Sequence, residues 1–152
     1  MIKTKIIRKN TKAVKEFTKK EWAVANLEHF GKDVDWKKEK YSILALDDNQ
    51  DIVGYLGLEI MAGVAYVAEL LVAKKMRGRG VGKKLSLEAE KISVKSGAHK
   101  IWLRTGKNWE SVKFYKSLGY QITGDLKKHS FGQDFVIFAK LLHNKNKTNP
   151  TN

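Results

Sequence analysis

The sequence predicts an α/β chain, because segments with the two-residue period of strands and segments with the 3.6-residue period of helices alternate along it. Three observations support this class. A nearly continuous apolar run at 64–72 is followed by a glycine-rich turn and a helical pattern. Two β-prone segments flank a polar turn at 47–51, and glycines stand where the helical patterns end.

The first elements are a strand and a helix. Residues 2–8 alternate apolar and polar side chains over most of their length, which is typical of a half-buried strand. Asn10 or Thr11 can cap a helix that runs to Phe30, and Gly31 ends it.

An irregular segment and a hairpin follow. Residues 32–40 show no clear period and contain Trp36 in otherwise polar surroundings, so a loop or a short irregular helix is expected. The segments 41–46 and 52–60 are predicted to pair as an antiparallel hairpin across the turn at 47–51.

The middle of the chain predicts a central strand and its helix. The run 64–72 suits a strand covered on both faces, with Glu69 as the single acid inside it. A helical pattern begins at Val81 and closes at Ser96 and Gly97.

The last third predicts strand, helix, strand and strand. Residues 99–105 form a strand, Asn108 caps a short helix, and Gly119 ends that helix. Two final strands are expected at 120–124 and 135–142 around a polar stretch. Residues 143–152 are polar and are expected to be a disordered tail.

Composition limits the function. The 152 residues hold 42% hydrophobic side chains, enough for one core, and 30 Lys and Arg against 16 Asp and Glu give a net charge of +14. An anionic partner is expected.

The absence of cysteine excludes disulfides, thiolate metal sites and a covalent intermediate on a cysteine nucleophile. No apolar run approaches about 18 residues and the start lacks a signal-peptide core, which predicts a cytoplasmic protein without membrane contact.

The turn after the central strand is the most informative segment. Glycines let the backbone aim successive N–H groups at an anion, and the following helix N-terminus adds its free donors. The spacing fits neither a Walker A loop nor the dinucleotide fingerprint. The alternative is a solvated basic turn whose glycines only reverse the chain. The six basic residues within 74–84 are Lys74, Lys75, Arg77, Arg79, Lys83 and Lys84, interleaved with Gly78, Gly80 and Gly82.

Two motifs in this order resemble a known family. Arg77-Gly78-Arg79-Gly80-Val81-Gly82 is similar to the Gln/Arg-x-x-Gly-x-Gly/Ala signature of the GNAT superfamily of acetyl-CoA-dependent N-acetyltransferases. The segment 108–120 resembles its second signature, an Asn-started helix with Phe-Tyr and then Leu-Gly-Tyr. The resemblance implies a GNAT fold over residues 1–142 as a single domain. That fold is a mixed, mostly antiparallel twisted sheet of six to seven strands flanked by about four helices.

The resemblance also implies acetyl-CoA as co-substrate, and no metal. Amides of 79–83 would hold its pyrophosphate, backbone groups of Leu71 and Val72 would pair with the pantetheine arm, and the Val72 N–H would face the thioester oxygen. The residues implied in cofactor binding are Leu71, Val72, Arg77, Gly78, Arg79, Gly80, Val81, Gly82, Lys83, Lys84, Asn108, Ser111 and Tyr115. Asn108 has the alternative role of an N-cap, and Ser111 that of a helix-surface residue.

Two residues are predicted to be catalytic. Tyr115 is the general acid, because a phenol with a pKa near 10 roughly matches an alkyl thiolate; its alternative is packing on the helix face. Glu69 is the general base, because a carboxylate in an apolar strand costs free energy unless it is paired or functional. An edge-facing or lysine-paired Glu69 is the structural alternative. His129 is a second candidate for the base.

The predicted reaction is direct acetyl transfer to a primary amine in a ternary complex, since there is no cysteine to carry an acyl group. The acceptor is a small molecule or a protein, and the protein is a monomer or a homodimer. Two other hypotheses are a non-catalytic acyl-CoA-binding module and a basic nucleic-acid-binding protein; the latter is not favoured, because no RNP, KH or helix-turn-helix signature is present. The residues expected to shape an acceptor site through charge or cation–π contact are Trp22, Glu28, Asp33, Asp35, Trp36 and Tyr41. The alternative is that the tryptophans belong to a core and the acids are solvated.

Overall fold

A computed structural model describes residues 1–143 of the chain. It divides into two compact units, Met1–Trp36 and Lys37–Asn152. Residues 144–152, which make up most of the predicted tail, lie outside the described residues. The expectation of a single domain over residues 1–142 stays a prediction.

The first unit consists of an extended segment and one helix. Helix α1 (Lys12–Phe30) begins as predicted, with the Val14 N–H donating to the Thr11 hydroxyl, and the Gly31 N–H donates to the Leu27 carbonyl at its end. The predicted strand at 2–8 is wrong, since these residues are exposed and belong to no strand. An alternating pattern forms a strand only where another strand supplies hydrogen bonds, and none of the six strands pairs with it.

The second unit contains one six-stranded sheet in the order β1-β2-β3-β4-β6-β5. The β3–β4 pair is parallel and the other four are antiparallel, which confirms the predicted mixed, mostly antiparallel sheet. The strands are β1 (Glu39–Leu46), β2 (Ile52–Met61), β3 (Val64–Val72), β4 (Lys100–Gly106), β5 (Gln121–Leu126) and β6 (Phe135–Leu141).

Two helices cover one face of this sheet. Helix α2 (Val81–Lys95) follows β3, and α3 (Ser111–Ser117) follows β4, so the described residues form three α-helices where about four were expected. We call the sheet face that packs against α2 and α3 the core face, and the opposite one the second face. The core is built from alternate strand residues together with side chains of both helices, including Leu56, Leu58, Ala65, Leu85, Ala89, Ile101, Leu103, Tyr115 and Phe138.

Helix α3 begins later than the sequence predicted. Its N-cap position is Glu110, without a side-chain capping bond, whereas Asn108 lies in the preceding turn. The turn closes through backbone bonds, with the Trp109 N–H donating to the Gly106 carbonyl, so no Asn108 cap is needed to start the helix. Gly119, at φ +85, follows the helix end as predicted.

Strands β3 and β4 separate soon after they meet. Their parallel pairing covers only Val64–Tyr66 against Lys100–Trp102, although both strands continue beyond it. A register shift between β2 and β3 places one extra β3 residue, Ala68, at this point. The expectation that β3 is covered on both faces is therefore wrong for its second half, where Ala68, Glu69 and Leu71 are exposed.

Candidate active site

The glycine-rich turn joins the end of β3 to α2 by way of a 3-10 turn at Lys74–Met76. Gly78 and Gly80 adopt φ of +74° and +81°, in the left-handed region that favours glycine. A Cβ at either position would meet no atom within 4 Å. These two glycines are therefore required by the backbone conformation and not by crowding.

The turn leaves a series of backbone donors free. The Arg77 N–H donates to the Lys74 carbonyl and the Lys84 N–H donates to the Gly80 carbonyl. Between them, the six amides of residues 78–83 donate to no acceptor among residues 1–143, and the first turn of α2 contains no acid. Free amides at a helix N-terminus attract an anion.

Positive charge surrounds these amides. Within the described part of the chain, none of the six basic residues of 74–84 forms an ion pair with a carboxylate. The Arg77 Nε donates to the Val72 carbonyl at 3.1 Å, which ties the turn to the end of β3. The arrangement suits a phosphate or a diphosphate.

Gly82 serves a different purpose from the two turn glycines. A Cβ there would lie 3.3 Å from the Phe114 ring of α3 and 3.8 Å from the Val72 Cγ2. The first turn of α2, the end of β3 and α3 thus meet at one point, next to the free amides.

The separated edge of β3 offers a second set of backbone groups. The Ala73 N–H donates to the Val53 carbonyl, and hydrogen-bonded pairs alternate along an antiparallel ladder. The backbone groups of Leu71 therefore face Tyr55 on β2, whereas those of Leu70 and Val72 face the open side. The prediction that the Leu71 backbone pairs with a ligand is wrong, because β2 already takes up its hydrogen bonds. An extended ligand could pair with that edge as a strand does.

Tyr115 lies on α3 and is buried among aromatic side chains. Its ring is 7% exposed and packs against Phe114, Tyr120 and Phe138, with centroids 5.0 to 5.8 Å away. The Tyr115 hydroxyl forms no hydrogen bond to residues 1–143. Every fully buried polar side-chain atom in that range does form one, so the Tyr115 hydroxyl oxygen is not fully buried and touches solvent. Burial raises the pKa of Tyr115 to about 12, above the value near 10 that suggested a match with a thiolate.

Ser111 and Asn108 differ in their surroundings. The Ser111 hydroxyl lies 2.6 Å from the hydroxyl of Thr105, a buried residue near the end of β4. This bond fixes the start of α3 against the sheet. Asn108 is exposed in the turn before it, beside Trp109, whose ring covers Gly106. Thr105 was not singled out in the sequence; its alternation with Leu103 was the available signal.

Glu69 is exposed on the second face of the sheet, opposite Gly57 of β2. It forms no ion pair with a lysine or arginine in residues 1–143. The argument that its carboxylate must be compensated for burial is therefore wrong, because water reaches it. It lies just beyond the point where β3 and β4 separate, beside the open edge.

His129 lies in the segment between β5 and β6. Its Nε2 is 3.2 Å from the Arg104 Nη1, and its ring packs edge-on against Phe135. Arg104 was missed in the sequence, although the alternation of Lys100, Trp102 and Arg104 places all three on the second face.

The aromatic residues of the first unit form a cluster of their own. Buried Asn26, 4% exposed, donates to the Asp33 carboxylate and accepts from the Trp36 indole N–H. The Trp36 ring also packs on Trp22 and Phe30, so Trp36 anchors the segment after α1. A groove of about 500 Å³ beside the cluster is lined by Glu16, Lys19, Lys20, Trp22, Ala23, Asn26 and Asp33.

Residues 1–143 contain neither a cluster that could hold a metal ion nor a helix that could cross a membrane. No group of three or more His, Cys, Asp or Glu is placed to hold a metal ion. None of the helices in this range has the length and apolar character needed to cross a membrane.

The profile of the acetyltransferase (GNAT) family matches residues 11–120 of the chain. The chain belongs to this family. Acetyltransferase Atu2258 of Agrobacterium fabrum (strain C58) is 30% identical over 115 residues, which are 76% of this chain and 81% of that protein. The protein is thus an acyltransferase of the GNAT type, as the two motifs predicted.

Solved structures of acetyltransferases share the fold. An acetyltransferase from Bacillus cereus ATCC 14579 superposes with a TM-score of 0.71 at 25% identity, over 91% of this chain and 98% of that one. An aminoglycoside 6'-N-acetyltransferase complexed with coenzyme A superposes with a TM-score of 0.63 at 20% identity, over 74% of this chain and 76% of that one. The predicted GNAT fold is confirmed.

Proposed function

We propose that this acetyltransferase binds acetyl-CoA at the turn between β3 and α2 and transfers the acetyl group directly to a primary amine. The observation that carries the proposal is the series of amides at 78–83 that donate to no acceptor in residues 1–143, surrounded by basic side chains that form no ion pair with a carboxylate in that range. The CoA pyrophosphate is the anion for which these donors are suited. The coenzyme A complex of the aminoglycoside 6'-N-acetyltransferase supports the same class of ligand.

The pantetheine arm pairs with the open edge of β3. The backbone groups of Leu70 and Val72 supply the hydrogen bonds, and the exposed Leu71 side chain supplies apolar contact. The Val72 N–H faces the thioester oxygen and stabilises the oxyanion that forms there. Asn108 and Ser111 contact the cofactor from the α3 side, with Ser111 held by Thr105.

The chemical step forms one bond and breaks another. The amine nitrogen attacks the thioester carbon, and collapse of the tetrahedral intermediate breaks the bond from that carbon to sulfur. Glu69, directly or through water, takes the proton from the amine, and the Tyr115 hydroxyl donates a proton to the departing thiolate. The raised pKa of Tyr115 keeps this donor protonated at neutral pH.

A calorimetric titration with acetyl-CoA tests the cofactor site. We expect the wild-type protein to bind and the Gly80→Val/Gly82→Val variant to lose at least about tenfold in affinity, because side chains there would distort the free amides. Gly97→Ala is the matched control: Gly97 has φ +80°, open space around it and a place at the other end of α2. Folded wild-type protein that does not bind acetyl-CoA would overturn the proposal.

A transfer assay separates catalysis from binding alone. Release of free CoA with a panel of primary amines is expected to exceed release without amine. Binding of acetyl-CoA with no amine-dependent release by any member of the panel would instead identify a non-catalytic acyl-CoA-binding module.

A further inference from the structure

The second face of the sheet carries a pair of opposite charges where β3 and β4 separate. The Tyr66 and Trp102 rings stack across the last paired residues, with centroids 4.4 Å apart. The next residue on this face is Glu69 on β3 and Arg104 on β4. Beyond the stacked rings, the two separating strands thus carry a carboxylate on β3 and a guanidinium on β4.

Arg104 makes its one side-chain hydrogen bond to the described residues with His129, at 3.2 Å. A guanidinium only donates, so the Nε2 of His129 must accept and its proton must lie on Nδ1. Phe135 holds the imidazole ring from the side. The guanidinium and the imidazole are therefore held together, and neither forms an ion pair with a carboxylate of residues 1–143.

Neighbouring acids are already engaged. Asp125 forms ion pairs with Lys107 and Lys127, and Asp134 with Lys127. Asp134 also accepts from the Lys128 N–H, which fixes the segment that carries His129. The Lys107 ammonium and then that of Lys127 lower the pKa of the Asp125 carboxyl group, and the Lys128 N–H and then the Lys127 ammonium lower that of Asp134, so both carboxyl groups stay ionised at neutral pH.

We propose that Arg104 and His129 bind the carboxylate of a small acceptor whose amine lies on the Glu69 side. The acceptor class is an amino-carboxylate, a primary amine and a carboxylate in one small molecule. Arginine presents a planar pair of donors that matches a carboxylate, and Glu69 attracts the ammonium form of the amine before it loses its proton. This inference rests on the proposed acetyl transfer and names its substrate class.

The test compares amino-carboxylates with the same molecules lacking the negative charge. The panel contains the α-amino acids and ω-amino acids of increasing length, each beside its carboxamide. We expect kcat/KM for the best amino-carboxylate to exceed that of its carboxamide by at least about tenfold, since only the carboxylate forms charge-assisted bonds. Equal values for both members of every pair would overturn the inference.

Variants assign the preference to Arg104. Arg104→Gln is expected to raise KM for the amino-carboxylate by at least about tenfold and to reduce the carboxylate preference to about threefold or less. Lys100→Gln is the matched control, because Lys100 lies on the same strand and face but on the other side of Trp102. If both variants lose the preference equally, general positive charge and not the Arg104 site is responsible.

The inference and the proposed function fail in different ways. Folded wild-type protein that does not bind acetyl-CoA would contradict the proposed function. Transfer to amines with no preference for a carboxylate would contradict only the amino-carboxylate proposal. If no amine is acetylated, calorimetry on the CoA-saturated protein decides. Binding of an amino acid but not of its carboxamide, lost in Arg104→Gln, supports the site; binding of neither overturns it.

Discussion

Gly82 lies so close to Phe114 that a Cβ on Gly82 would be 3.3 Å from the Cζ of the ring. This contact joins α2 to α3 at the end of β3. A side chain at position 82 must displace the aromatic ring or move the helix that carries the free amides.

We expect Gly82→Val to lower the free energy of unfolding by about 1–3 kcal/mol, the usual cost of overpacking. Phe114→Leu removes part of the ring, so Gly82→Val should cost less in that background. Urea unfolding of the two single variants and the double variant measures this coupling. Strict additivity of the two effects would show that the ring and the helix turn do not press on each other.

Tyr115→Phe is expected to lower kcat by about 10²-fold or more while leaving KM for acetyl-CoA within about threefold, because only the proton donor is removed. The fold should tolerate the change, since the hydroxyl bonds to no residue in 1–143. Tyr120→Phe is the matched control, with a ring 5.6 Å away that is also buried. Equal losses of kcat in both variants would assign Tyr115 to packing.

The two tyrosines also predict sensitivity to alkali. Burial raises the pKa of Tyr115 from 10.0 to about 12, and burial and then Glu90 raise that of Tyr120 further. Above pH 10 the unfolded chain loses phenolic protons that the folded protein keeps, so stability falls as pH rises. The pKa shift of Tyr115 alone corresponds to about 2–3 kcal/mol.

Thermal unfolding between pH 9 and pH 12 measures this effect. The range begins below the ordinary pKa of 10.0 for tyrosine and ends at the raised pKa of about 12 for Tyr115 in the folded protein. The fall in Tm should be smaller in Tyr115→Phe than in the wild type. Because lysine ion pairs also weaken in this range, the comparison between the variants is the informative quantity. Parallel curves would show that Tyr115 titrates alike in the folded and unfolded chain.

Local signals in the sequence predicted most of the elements. Thr11 and Gly31 bound α1, and the β3 strand matches the apolar run at 64–72, because capping and periodicity act between neighbouring residues. The prediction of a strand at 2–8 was wrong, because a strand needs a partner strand that can lie far away in the sequence. The alternating pattern gives no information about such a partner.

The site shows the same division. Its turn was predicted from the glycine spacing, because the backbone conformation is local. The sequence did not predict the separation of β3 from β4 or the contact between Arg104 and His129. Both depend on sheet order and register between residues far apart in the chain. The exposure of Glu69 follows from that separation, which is why an argument from burial misjudged it.

The composition favours one kinetic order. With no cysteine in the chain, no acyl-thioester can form on the enzyme, which favours direct transfer while both substrates are bound. Initial-rate measurements over a grid of acetyl-CoA and amine concentrations should give intersecting double-reciprocal lines. Parallel lines together with an isolable acetyl-enzyme would contradict direct transfer.

Glu69→Gln is expected to lower kcat by about 10²-fold or more and to remove one ionisation from the pH–rate profile, because a carboxamide cannot accept the amine proton. Glu59→Gln is the matched control on the same face of the sheet, where Glu59 pairs with Lys38 and Lys40 and these lysines lower the pKa of its carboxyl group. The Glu59→Gln substitution should leave the shape of the pH–rate profile unchanged. A Glu69→Gln profile identical to that of the wild type would assign proton removal to His129 or to water; a His129→Gln variant, tested for the same lost ionisation, would distinguish these two.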